Sequence, residues 1–160
     1  MIAILLSVLV LISAIGSGLI AGVFLAFSSF VMRALGRLPA EQGVAAMQAI
    51  NITVLNPLFL GTFMGTAALC LGLIVAAPFR WHELQMACVI AGGLLYVVGT
   101  FAVTMLCNVP LNEALAAAPA GPEATALWSR YLTSWTMWNH VRTGCAALAA
   151  TILTASLLWD

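Results

Sequence analysis

Lysine is absent from this chain, and charge of either sign is scarce: five arginines stand against five acidic residues, 6% of 160 positions in all, for a formal net charge of zero. With no basic face, the chain has nothing with which to hold nucleic acid or to be drawn onto anionic headgroups. Paired cysteines are missing too. Cys70, Cys88, Cys107 and Cys145 fall singly within apolar runs and form no C-x-x-C, which argues against both a zinc site and a disulfide framework and leaves them as small buried hydrophobes. The two histidines, His82 and His140, sit in no H-x-x-H, E-x-x-H or C-x-x-C-H spacing, so a metal or a haem held axially by His140 finds no support and neither metal nor cofactor is expected. An acidic relay and an internal repeat are also lacking, which speaks against a channel or transporter. At the N-terminus there is no basic segment and no cleavage pattern, so Met1 to Met32 is expected to stay as a helix rather than be removed as a signal peptide.

What fills the chain is apolar. Residues of hydrophobic type make up 64% of it, and its mean hydropathy is +1.13, far more apolar surface than a soluble core of this size could hide. The expected fold is all-α: an integral-membrane, four-helix up-and-down bundle forming one domain over 1–160, with spans at about 1–32, 56–77, 85–107 and 135–158. Short interfacial helices are expected in the first and third connections, Val44 to Ile52 and Glu123 to Tyr131, the latter opened by Gly121-Pro122-Glu123. Gly36 to Gly43 breaks the first helix, and Asn56-Pro57 starts the second with a favoured cap and first residue. Pro110 is expected to stop the third by forcing Val109 into an extended conformation. Trp128, Tyr131, Trp135 and Trp138 suggest a headgroup-level aromatic belt. Gly18, Gly22 and Ala26, and Gly61 with Gly65, recur every four residues as stripes that let another helix approach closely, a neighbour within the bundle or a second copy in a homo-oligomer.

In an up-and-down bundle the polar residues converge. Arg33, Asn51, Asn56, Asn108, Asn112, Asn139, His140 and Arg142 all fall at one end, against Arg80, His82 and Glu83 at the other. The arginine balance places the polar end in the cytoplasm of a multi-pass cell-membrane protein. Within W-T-M-W-N-H-V-R-T (Trp135 to Thr143), a guanidinium and an imidazole in a spanning segment are costly and call for a purpose. At about 100° per residue, Asn139 points along the same inward line as Thr143, Ala146 and Ala150, while His140 and Arg142 diverge by about 160°. That corner is the expected pocket for a small apolar or aromatic molecule. A structural clasp, with His140 bracing the bundle, is the alternative use of the same residues.

Five segments together, A-G-V-F-L-A-F-S (Ala21 to Ser28), M-Q-A-I-N (Met47 to Asn51), L-N-P-L-F (Leu55 to Phe59), C-N-V-P-L-N (Cys107 to Asn112) and W-T-M-W-N-H-V-R (Trp135 to Arg142), resemble the anthrone oxygenase family over nearly the whole chain. The resemblance implies a cofactor-free oxygenase that oxidises a hydroxyaromatic, anthrone-like molecule with O2. On that reading His140 is the base, and Arg142 or Arg33 with Asn108, Asn112 and Asn139 hold the developing oxyanion. Trp135 and Trp138 stack on the rings, and Asn51 and Asn56 complete the binding end. The competing expectations are a non-enzymatic binder of a quinone or other hydrophobic ligand, and a structural subunit of a membrane complex.

Overall fold

A computed structural model describes residues 2–118 and 122–159, with the side chains of residues 3, 122, 123 and 159 excepted. Every element is helical, and no strand occurs among the described residues. Helix α1, Ile2–Ala26, runs on through a π-helical turn at Phe27–Val31 and a last turn at Met32–Leu35. Helix α2, Ala40–Thr53, follows, then α3, Pro57–Ala76, whose first N–H groups are met by the Asn56 cap: Phe59 N donates to Asn56 Oδ1 at 3.0 Å. Helix α4, Glu83–Leu94, widens into two π-helical stretches, Leu95–Ala102 and Thr104–Asn108, and passes without a break into α5, Val109–Ala116. Helix α6 takes up Pro122–Ser156.

The four long helices touch in a ring: α1 lies against α3 and α6, and α4 with its π-helical continuation also lies against α3 and α6. Helix α2 crosses one end, resting on α5 and α6. Three stretches, Ile4–Leu35, Pro57–Phe79 and Glu83–Ala116, are long and apolar enough to cross a membrane. Helix α6, which carries Arg130, Asn139, His140 and Arg142, is not among the three. Two apolar clusters stack along the ring. One gathers Val10, Ile20, Phe24, Phe63, Cys70 and Leu153; the other, under α2, gathers Met32, Met47, Leu115, Trp128, Tyr131 and Trp135.

Several sequence expectations change. Pro110 does not end the third helix, and Val109 is α-helical at φ −61°, ψ −47°. The preceding turn has shifted to i→i−5 bonding, with Val109 N donating to Thr104 O, and this wider ladder accommodates the proline ring and its missing donor. No separate surface helix precedes the last span: the described part of that segment is continuous with α6, while Gly121 lies outside the described residues. The aromatic belt is largely internal, since Trp128, Tyr131 and Trp135 are all buried. The glycine stripes also differ from expectation. A Cβ at Gly22, Gly61 or Gly65 would meet nothing, whereas at Gly92 it would press on Leu153, at Gly93 on Ile74 and at Gly43 on the Trp128 indole, 2.7 Å away. A Cβ at Gly16 would likewise press on Thr66 and one at Gly99 on Cys145, so close approach is required at α1, α2, α4 and the π-helical stretch after it, and not at Gly22, Gly61 or Gly65 of the four-residue stripes.

Candidate functional site

The seam between the two apolar clusters is polar, and Arg142 is its centre. Only 5% exposed, its guanidinium is covered by the Phe24 ring at 3.8 Å and the Trp135 ring at 4.8 Å, one from each cluster. Two aromatic faces on a desolvated guanidinium contribute about 2 kcal/mol or more through the ring quadrupoles. Its edge bonds are to neutral groups: Nε donates to Asn139 Oδ1 at 2.9 Å, and Nη1 to Thr104 Oγ1 at 3.3 Å. Thr104 in turn donates to Thr100 O, and Thr100 to the Arg142 carbonyl, so α4 and α6 are tied together through the π-helical segments.

Asn139, fully buried, ties in α1. Its Nδ2 donates to Phe24 O at 2.8 Å and to Ser28 Oγ at 2.7 Å, and because a carbonyl can only accept while an arginine Nε can only donate, the amide orientation is fixed by its partners. Thr143, one turn on, donates to Asn139 O and shares a hydrogen bond with Ser28.

A third group sits under α2. Asn112 Oδ1 accepts from both Tyr131 OH and Trp135 Nε1, each at 2.8 Å, which leaves the Asn112 NH2 as the end not used by these two. Trp128, Tyr131 and Trp135 stack in series at 5.6 and 5.9 Å. Asn51 Nδ2 is buried without a well-formed hydrogen bond, as are Asn108 Oδ1 and Thr136 Oγ1. Asn112→Leu is expected to strand both the Tyr131 hydroxyl and the Trp135 indole N–H, costing about 2–4 kcal/mol for two buried orphans. Loss of thermal stability in detergent, with a shift in tryptophan emission, is the measurement.

Beside this network lies a cavity of about 660 Å3, within the usual range of about 300–1,000 Å3 for small-molecule sites. Phe24, Phe27, Phe59, Phe63, Phe101 and Trp135 form its aromatic walls. Its polar lining is Gln48, Asn51, Thr104, Asn112, Glu113 and Arg142. Gln48 Nε2 is spent on Leu115 O, and Glu113 is exposed at the rim, so the buried wall presents chiefly N–H groups.

Of the residues singled out in the sequence, Arg142, Asn51, Asn112 and Trp135 line this cavity, and Asn139 holds Arg142 from behind. Asn108 is fully buried next to it, its Nδ2 donating to Trp135 O, and does not line the cavity. Four are not brought to the site. His140 is exposed, about 100° round α6 from Asn139 and about 160° from Arg142, and does not line the cavity. Arg33 is exposed near the end of α1, Asn56 is engaged as the α3 cap with its Nδ2 on Thr53 O, and Trp138 is half-buried elsewhere on α6. Sequence reasoning missed Thr104, Gln48 and Glu113. Glu113 follows Asn112 directly, and an acidic side chain next to a residue already singled out was the signal available.

Comparison with protein families matches the anthrone oxygenase family over residues 58–152, more than half of the chain. The chain belongs to that family. No curated protein and no solved structure matches it. The family segment covers α3, α4, α5 and most of α6, and therefore Thr104, Asn112, Glu113, Trp135, Asn139 and Arg142. Helices α1 and α2, which add Phe24, Gln48 and Asn51 to the cavity, precede it.

Proposed function

We propose that the chain is a multi-pass membrane protein that binds a flat, anthrone-like hydroxyaromatic in this cavity and oxidises it with O2 to the quinone, without metal or flavin. The observation behind this reading is the character of the polar wall: N–H donors gathered around a buried arginine, at one end of an otherwise aromatic cavity. Donors in a dry site are best satisfied by oxygen lone pairs, and best of all by an oxygen that becomes anionic. In this reading α6 is the fourth span of the bundle, and the polar end, with Arg33, Arg37 and Arg130 around it, faces the cytoplasm. Gly22, Gly61 and Gly65 remain for contact with a second copy.

An anthrone fits the wall chemically. Loss of a proton from its methylene carbon gives an enolate whose charge collects on the ring oxygen, where Arg142 and the amides of Asn51 and Asn112 hold it. Glu113, the carboxylate that lines the cavity, takes the proton in this scheme. The enolate carbon passes one electron to O2; superoxide and ligand radical couple at that carbon, and the peroxide is protonated. Loss of water from the hydroperoxide leaves the second carbonyl. One O2 is consumed and one water released per anthrone, and no external reductant enters.

The test is anthrone added to detergent-purified protein, with O2 uptake and quinone absorbance followed together. Equal uptake and quinone formation are expected. Glu113→Gln is expected to slow both about ten-fold, less than the about 10²–10⁴ of an enclosed base because water can stand in at the exposed rim. Quinone binding with no O2 uptake would make the chain a ligand binder, and neither binding nor uptake would remove the reading.

A further inference from the structure

Glu113 is exposed on the α5 side of the rim, whereas the side between α3 and the π-helical end of α4 has a composition of its own. Ile52, Leu55, Met64 and Met105 line the cavity and are also 75%, 65%, 55% and 47% exposed. They come from the end of α2, the turn into α3, α3 itself and the second π-helical stretch after α4. A mouth that opened on water would leave these four large apolar side chains hydrated at its edge, whereas hydrocarbon solvates them at no cost.

The packing explains why an opening exists there. Helix α3 lies against α4 and against Leu95–Ala102, but beyond that point Thr104–Asn108 and α5 pack on α6. Two helices that run together in their lower halves therefore part in their upper halves, at the π-helical turns, which are known sites of helix bending. Met64 lies seven residues into α3, about 10 Å along its axis at 1.5 Å per residue, so the cleft extends from the α2–α3 turn well into an apolar span.

We propose that this cleft between α3 and the π-helical end of α4 is a lateral portal through which ligand passes between the bilayer and the cavity. Its ligand class is an amphiphile already dissolved in the membrane: a flat apolar body carrying an oxygen at one end, which slides in with that oxygen toward Arg142. The proposal rests on the reading of the cavity as a ligand site. The helix that supplies the portal's far edge also supplies Thr104, which holds Arg142 Nη1, so the wall of the portal and the grip on the arginine share one π-helical stretch.

The experiment uses the whole chain reconstituted in phosphatidylcholine vesicles, mixed rapidly with donor vesicles loaded with 1-hydroxyanthraquinone. The visible absorbance change on transfer to the protein is followed in time. Met64→Trp and Met105→Trp narrow the cleft from opposite sides, and Leu148→Trp, on an exposed position of α6 outside the cavity, is the control. Each narrowing substitution is expected to slow the approach to binding at least ten-fold, the pair together more, with no slowing by the control. A full amplitude reached at the parent rate in both narrowed variants would overturn the portal while leaving the cavity as a ligand site. No absorbance change with the parent protein would overturn both.

Discussion

Arg142→Met is expected to slow anthrone oxidation by about 10²–10³-fold, the usual cost of removing a donor aimed at a developing oxyanion in a dry site. The same substitution is expected to leave the fold as stable as before, or more so. A desolvated guanidinium whose hydrogen-bond partners are the neutral Asn139 and Thr104 carries a large desolvation cost, and an unbranched apolar side chain of similar length fills the space between Phe24 and Trp135 without it. What is lost is the ring-face attraction of about 2 kcal/mol and the partner of Asn139 Oδ1, about 1–3 kcal/mol, while Thr104 Oγ1 keeps its bond to Thr100 O. Turnover falling while thermal stability in detergent holds would separate a functional arginine from a clasp. A parallel fall in both would mean that Arg142 chiefly holds helices together. Arg142→Lys is the sharper variant: the charge stays, but the fork that bonds Asn139 with Nε and Thr104 with Nη1 is gone, so a loss close to that of methionine is expected if geometry matters more than charge.

Asn139→Leu is expected to lower stability by about 3–4 kcal/mol, the largest effect on folding of any substitution at the site. Asn139 is fully buried and joins α1 to α6 through Phe24 O and Ser28 Oγ while accepting from Arg142. A leucine there strands a backbone carbonyl and a guanidinium N–H together, at about 1–3 kcal/mol each, more for the charged group. Interhelical hydrogen bonds within membranes average nearer 0.6 kcal/mol, so a measured loss under about 1 kcal/mol would show that α1 and α6 are held by packing instead. Asn139→Asp separates the two roles of this residue. It keeps an acceptor for Arg142 and adds a counter-charge, so the arginine stays fixed, but the carboxylate repels an incoming oxyanion and gives up the donors to α1. Weaker quinone binding with a smaller loss of stability than Asn139→Leu is the expected pair of results, measured by absorbance titration and detergent melting.

Much of the architecture was written in local pattern. Asn56-Pro57 and Gly36 to Gly43 marked the start of α3 and the break after the first long helix, because capping and breaking are properties of a few adjacent residues. The inward line of the last helix was legible in part: Asn139 and Ala146 are buried as expected, but Thr143 and Ala150 are half-buried, because the buried face turns toward Arg142 and Ala149 and leaves His140 exposed. Pro110 misled because its usual effect assumes an α-helical ladder, and a π-helical turn before it removes both the clash and the missing bond. The tryptophans misled in a similar way. An aromatic with a polar tip belongs at the headgroups only when no internal partner exists, and Asn112 supplies one for both Tyr131 and Trp135.

The sequence by itself determined an all-helical chain with membrane-length apolar helices, a polar cluster at one end, and the family to which it belongs. Those follow from composition, period and short motifs, each a matter of residues near one another along the chain. Only the tertiary structure decided which of the clustered polar residues share a cavity. Asn51, Asn112 and Arg142 come from α2, α5 and α6, and the sequence that groups them with Arg33, Asn56 and His140 does not say how far each helix is rotated or where two helices part. Rotation is set by which glycines must meet a neighbour, at Gly16, Gly43, Gly92, Gly93 and Gly99, and separation by π-helical turns whose register depends on packing across the ring. Those are long-range contacts, and they place one arginine between two aromatic rings at the end of an open cleft.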